Sequence, residues 1–132
     1  MKIVKATNLE KLQSAIDTLG HAANTVYDFS ITGSVNENTS IYRLSTDDLD
    51  AVIAIHEDDT VDVKVTTVEE GEQVPIFEVE NRKNFNMVKF ISMLMDISTN
   101  LKYYHQYISW AENAREKAYQ KITDYTYKIL EE

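Results

Sequence analysis

The stretch HEDDTVDVKVTTVEEGE, residues 56–72, decides the fold because it overlays two signals. Val61, Val63 and Val65 alternate with Asp62, Lys64 and Thr66, the period-two pattern of a strand that is dry on one face and wet on the other. The same stretch holds seven carboxylates against one lysine. The pattern predicts a strand over 60–68, with tight turns near Asp58-Asp59 and Gly71 that leave no room for a crossover helix.

Working outward, further strands are expected at about 40–45, 50–56 and 74–80. Upstream, Tyr27, Phe29 and Ile31 alternate with Val26, Asp28 and Ser30, and TGSVNENTS, residues 32–40, reads as a loop rich in turn formers. Short connections make the sheet an antiparallel meander of four or five strands. Before it, Thr7 and Glu10 have capping-box spacing. Leu9, Leu12, Ile16 and Leu19 then recur at helical spacing up to Gly20, a C-terminal stop signal. A helix over about 8–22 follows.

Downstream of the sheet the period changes. From Ile76 to Glu132 there is neither glycine nor proline. A seven-residue seam runs through Met87, Leu94, Leu101, Ile108, Arg115, Ile122 and Ile129, with a second series of Phe90, Ile97, Tyr104, Ala111, Ala118 and Tyr125. Such a seam predicts either one projecting helix of roughly 64 Å that pairs with another chain, or a hairpin with its corner at the weak helix formers Ser98, Thr99 and Asn100. Arg115 is the one charged seam position. The fold class is therefore α+β in one domain: residues 1–35 form helix and first strand, 36–80 an acidic sheet, and 81–132 a helical third.

Most catalytic templates fail. The chain has no cysteine, which removes disulfides, thiolate metal sites and cysteine nucleophiles. With three glycines there is no G-x-G-x-x-G, P-loop or G-x-S-x-G. His21, His56 and His105 fall in separate elements and read as solvated. Asp58, Thr60 and Asp62 are spaced like the start of an EF-hand loop, but Val63 stands where glycine is needed and the twelfth position lacks glutamate. The clustered acids are expected at turns and outer strand faces, solvated rather than buried and tuned as two-carboxylate hydrolysis requires. No enzyme activity, metal or cofactor is expected. There is no apolar run long enough for a membrane span and no secretory signal at the N-terminus, so a cytoplasmic protein is expected.

Charge is the most informative feature. The chain carries a net charge of −9, and residues 36–80 hold thirteen acids against two bases. Exposed strand charges discourage edge-to-edge aggregation, but a concentrated negative surface also steers association with basic partners. The expected partner-binding face comprises Asp47, Asp48, Asp50, Glu57, Asp58, Asp59, Asp62, Glu69, Glu70 and Glu72. On this reading the charges of Asp58, Asp59 and Asp62 could be reversed without harm to the fold. KYYHQYISW, residues 102–110, mixes base and aromatics as single-strand binders do, yet Tyr104 and Ile108 belong to the seam and the net charge repels phosphates, so direct nucleic-acid binding is not expected. In profile, though in no motif, the chain resembles small acidic accessory proteins of phages and mobile elements, some of which inhibit host nucleases. That resemblance implies a non-enzymatic inhibitor, of anti-CRISPR or nucleic-acid-mimic type, that occupies a basic surface of a partner. The alternative is an acidic dimeric chaperone or assembly module using Leu94, Leu101, Tyr104, Ile108, Arg115 and Ile122 as a homodimer seam.

Overall fold

A computed structural model describes residues 6–69, 72–106 and 111–130. The element order is α1 (Asn8–Thr25), β1 (Ser30–Asn36), β2 (Thr39–Ser45), β3 (Leu49–Ile55), β4 (Val61–Glu69), β5 (Glu72–Arg82), α2 (Met87–Gln106) and α3 (Ala111–Leu130). All five strands pair antiparallel with their sequence neighbours, giving the order β1-β2-β3-β4-β5. The fold is α+β, an N-terminal helix, a five-stranded meander and C-terminal helices.

The alternation that announces the sheet is borne out by burial. Leu49, Ala51, Ile53 and Ile55 of β3 and Val61, Val63 and Val65 of β4 are buried, while Asp50, Val52, Ala54, Asp62 and Lys64 face the other way. The buried face packs with Leu12, Ala15 and Ala23 of α1 and Phe90, Met93, Leu94 and Ile97 of α2 in one apolar cluster. Phe90 is its hub: its ring lies 5.9 Å from that of Phe77 in β5 and 5.3 Å from that of Phe85, at tilted angles that suit aromatic quadrupoles.

Three local expectations are corrected. Residues 32–40 are not a loop, because β1 continues to Asn36 and pairs with β2 around a two-residue turn, Glu37-Asn38. Gly33 lets the Tyr42 ring lie directly opposite: a Cβ there would stand 2.8 Å from it and the ring would have to shift. The alternation at 26–29 is not strand either. Val26 caps α1 through its N–H to Ala22 O, and Phe29 N donates to Ala23 O at 3.0 Å. Gly20 does not stop α1. It is buried, and a Cβ would lie 3.2 Å from Ile16 and 3.6 Å from Ile31, so the residue serves the close approach of helix to strand. The capping expectation at the other end is met by half: Thr7 Oγ1 accepts the Glu10 N–H at 3.2 Å, but the Glu10 carboxylate accepts the Thr7 hydroxyl at 3.1 Å in place of the Thr7 N–H.

The C-terminal third is two packed helices, each about 30 Å long at 1.5 Å per residue. α2 passes straight through Ser98, Thr99 and Asn100. Thr99 Oγ1 donates to Met95 O at 3.1 Å, and Ser98 is buried, so their weak propensity is overridden by packing. Ile122 and Ile129 of α3 are buried. Tyr125 donates to Asp96 Oδ2 at 2.6 Å across the pair, and that carboxylate pushes the phenol up to about 12. The C-terminal end of α3 is clasped by Arg82 Nη2, which donates to Leu130 O at 2.6 Å, and by Asn86 N, which donates to Ile129 O at 2.8 Å. A cation at that position also complements the helix dipole. No helix among the described residues is long and apolar enough to cross a membrane.

Candidate functional site

A meander sends successive turns to opposite ends of the sheet, and this decides where the acids go. The turn after β3 carries Glu57, Asp58 and Asp59 at one end. The turn after β2 carries Asp47 and Asp48 at the other, where Glu69 and Glu72 also begin and end their strands. β3 separates the two groups by about 20 Å at 3.3 Å per residue. Among the expected residues whose side chains are described, only Asp50 and Asp62 lie on the outer sheet face. Asp50 is bound there by Arg43, whose Nε and Nη2 donate at 2.7 and 2.9 Å; that bidentate contact holds the guanidinium above its usual range. Lys64 and Glu78 face each other at 3.6 Å on the same surface. Two carboxylates of the outer face are thus paired with bases, while Asp62 and Glu80 add to the acids carried by the turns at the two ends. Glu70 lies outside the described residues, as do the side chains of Glu69 and Glu72.

The β3–β4 end is the better organised. His56 N donates to Thr60 O at 2.9 Å and Asp59 N to His56 O at 3.0 Å, closing a turn in which Asp59 takes a left-handed φ of 69°. Asp58 Oδ1 accepts both the hydroxyl and the N–H of Thr60, at 2.6 and 3.1 Å. Asp59 Oδ1 accepts the N–H of Asn8 at 2.8 Å, so this turn caps α1. Asn8 Nδ2 returns the contact to Asp59 O at 2.6 Å and reaches Lys83 O at 3.0 Å. Asp62 Oδ1 accepts Asn81 N at 2.8 Å, where β5 bulges and Asn81 has φ 54°, and Asp62 Oδ2 meets His56 Nε2 at 2.7 Å. Together His56, Glu57, Asp58, Thr60, Asp62 and Asn81 line a shallow open depression.

These bonds keep the carboxylates charged. The Thr60 hydroxyl, then its N–H, hold Asp58 below the usual carboxylate range, and the Asn81 N–H, then His56, do the same for Asp62. A depressed folded-state pKa contributes stability above the unfolded value of about 3.9, and that contribution is lost as pH falls through the folded value. The melting temperature of Asp62→Asn is therefore expected to lie a constant interval below the parent's at neutral pH, the interval closing below about pH 4. An interval unchanged down to pH 2 would show that the Asp62 carboxylate contributes nothing.

His56 is the residue that sequence reasoning missed. It is not merely solvated, because Asp62 holds Nε2 and Thr39 Oγ1 stands 3.5 Å from Nδ1. A signal existed: positions 56 and 62 have the same parity across a tight hairpin, which puts both on one sheet face. The order hydroxyl, imidazole, carboxylate has the topology of an activated nucleophile. Here the hydroxyl sits at the limit of hydrogen-bond reach, the surroundings are open, and the Asn81 N–H is consumed by Asp62. The arrangement ties β2, β3, β4 and β5 together at one end of the sheet. Among the described residues, no group of three or more His, Asp or Glu side chains could hold a metal ion.

The seam residues divide differently. Leu94 and Ile122 are buried and Leu101 is half-buried within the chain. Ile108 lies outside the described residues, as do the side chains of Tyr104 and Arg115 on α2 and α3. The fold thus defines a two-layer α+β protein with an uncovered sheet face and two acidic ends. No protein-family model matches the chain, and no curated protein or solved structure matches it significantly.

Proposed function

We propose that the protein is a non-enzymatic acidic binding module, an inhibitor or accessory factor of the kind phages and mobile elements carry, which occupies a basic, nucleic-acid-binding surface of a partner protein. The observation that carries this reading is that carboxylates at the β3–β4 end are held ionised and in fixed orientations by the Thr60 hydroxyl and by backbone N–H groups. Pre-oriented charge loses little entropy on binding and steers encounter.

The alternative, a dimeric chaperone built on a heptad seam, draws on Tyr119 and Tyr127 of α3, which are 41% and 66% exposed. It is the weaker reading, because Leu94, Ile97, Ile122 and Ile129 are already buried within one chain.

The test uses two exposed acids of the expected partner-binding set, Asp47 and Glu57, neither of which has a hydrogen-bonding task described. Proteins that bind heparin are taken from a host lysate, captured on the immobilised chain, and challenged with duplex DNA. Competition by DNA is expected, with an association rate several-fold lower at low salt for Asp47→Asn combined with Glu57→Gln and an unchanged melting temperature. Captured proteins that DNA does not displace, with rates indifferent to salt and to both substitutions, would reduce the acidic ends to a solubility device.

A further inference from the structure

The two edges of the sheet are built differently. β5 is guarded: it carries Pro75, Glu78 and Glu80, its pairing with β4 shifts register twice, and α3 packs against it. Proline, charge, bulges and a covering helix are the devices by which natural sheets protect an edge. β1, the sequence SITGSVN, has no proline, charge or bulge, and α1 packs against it at Ile31. It is regular along all seven pairs with β2, has no charged residue, and is exposed at every position except Ile31. Val35 is 74% exposed.

The register states which backbone groups are open. Asn36 and Thr39 close a two-residue hairpin and so form a hydrogen-bonded pair, which alternation repeats at Ser34, Thr32 and Ser30. The N–H and C=O groups of Ile31, Gly33 and Val35 therefore point away from β2, and among the described residues no strand pairs with them. At the start of this edge lies a notch lined by Asp28, Ser30, Ser45, Thr46 and Asp47. At its other end stands the exposed Glu37. An uncharged strand is thus bracketed by carboxylates and hydroxyls.

We propose that β1 receives an extended, basic segment of the partner protein as a sixth strand, with Ile31, Gly33 and Val35 supplying backbone hydrogen bonds and the Asp28–Asp47 notch taking a lysine or arginine side chain. The choice of a basic occupant rests on the function proposed above. Strand addition gives affinity through the main chain and specificity through flanking side chains. A second copy fits poorly: antiparallel pairing centred on Gly33 brings Glu37 of one chain beside Asp28 of the other, between two molecules of net charge −9.

The probe is an acetylated, amidated threonine–valine heptapeptide with lysine at both ends, with a glutamate-ended version as control. Amide exchange at Ile31, Gly33 and Val35 is expected to slow on adding the lysine peptide. Its affinity should exceed that of the glutamate peptide by about tenfold or more, and Val35→Pro should weaken it by at least the same factor. Proline at 35 removes an outward N–H and no pair with β2, so the variant should melt with the parent. The inference is overturned if the lysine peptide fails to bind at about 1 mM, if Val35→Pro binds it as the parent does, or if both peptides bind equally. It is overturned also if the parent sediments as a dimer that Val35→Pro dissociates. Binding of the lysine peptide that perturbs only residues 56–62 would sink strand addition while leaving the basic-partner reading intact.

Discussion

Reversing Asp58, Asp59 and Asp62 together to lysine is expected to destabilise the protein strongly, with the melting temperature falling by roughly 10 °C or more. Taken as exposed charges, the three would be dispensable. Each instead accepts a backbone N–H, from Thr60, Asn8 and Asn81 respectively. Asp59 contributes most, since its loss strands the first N–H of α1 beside the buried Asn8, at about 2 kcal/mol, the scale for a charged acceptor. Asp62 adds about 1 kcal/mol after allowance for its exposure to solvent. Lysine at Asp59 would also occupy a left-handed position that suits aspartate better. Circular-dichroism melts of the triple variant decide it; a parent-like melt would mean that these bonds carry no stability.

The second large effect is expected in the core. Phe90→Ala should cost about 3–5 kcal/mol, because the ring is fully buried and its removal leaves Phe77 and Phe85 facing a void that neither can fill without moving its own backbone. Urea unfolding would show the midpoint falling with little change in slope. A cost under about 1 kcal/mol would mean that α2 slides to close the cavity.

What the sequence disclosed follows from which residues are buried on one side. Leu49 to Ile55 and Val61 to Val65 alternate because one face meets the helices and the other meets water, so β3 and β4 are legible. β1 is not. Beyond Ile31, where the sequence alternation ends, its side chains are exposed on both faces, and the strand is continued by its pairing with β2. The corner expected at Ser98 to Asn100 failed because local propensity cannot register the burial of Ser98 among α2's neighbours. The acidic character is plain from composition, but the division of the turn acids between two ends is not, since it follows from how a meander alternates its turns. The tasks of Asp59 and Asp62 stayed hidden because their partners lie 51 and 19 residues away.

The meander also has a kinetic consequence. Every strand pairs with its neighbour in sequence, so the sheet closes only short loops and can assemble quickly. The ties that dock the terminal helices are of another order: Asn8 reaches Asp59 and Lys83 across 51 and 75 residues, and Arg82 reaches Leu130 across 48. Closing those long loops late leaves α1 and α3 as the last units to form and the first to open. Native-state hydrogen exchange should accordingly show their amides opening at lower free energy than those of β3 and β4. If α1 exchanged only with global unfolding, the chain would instead be one cooperative unit, with the Asn8 clasp formed as early as the sheet it holds.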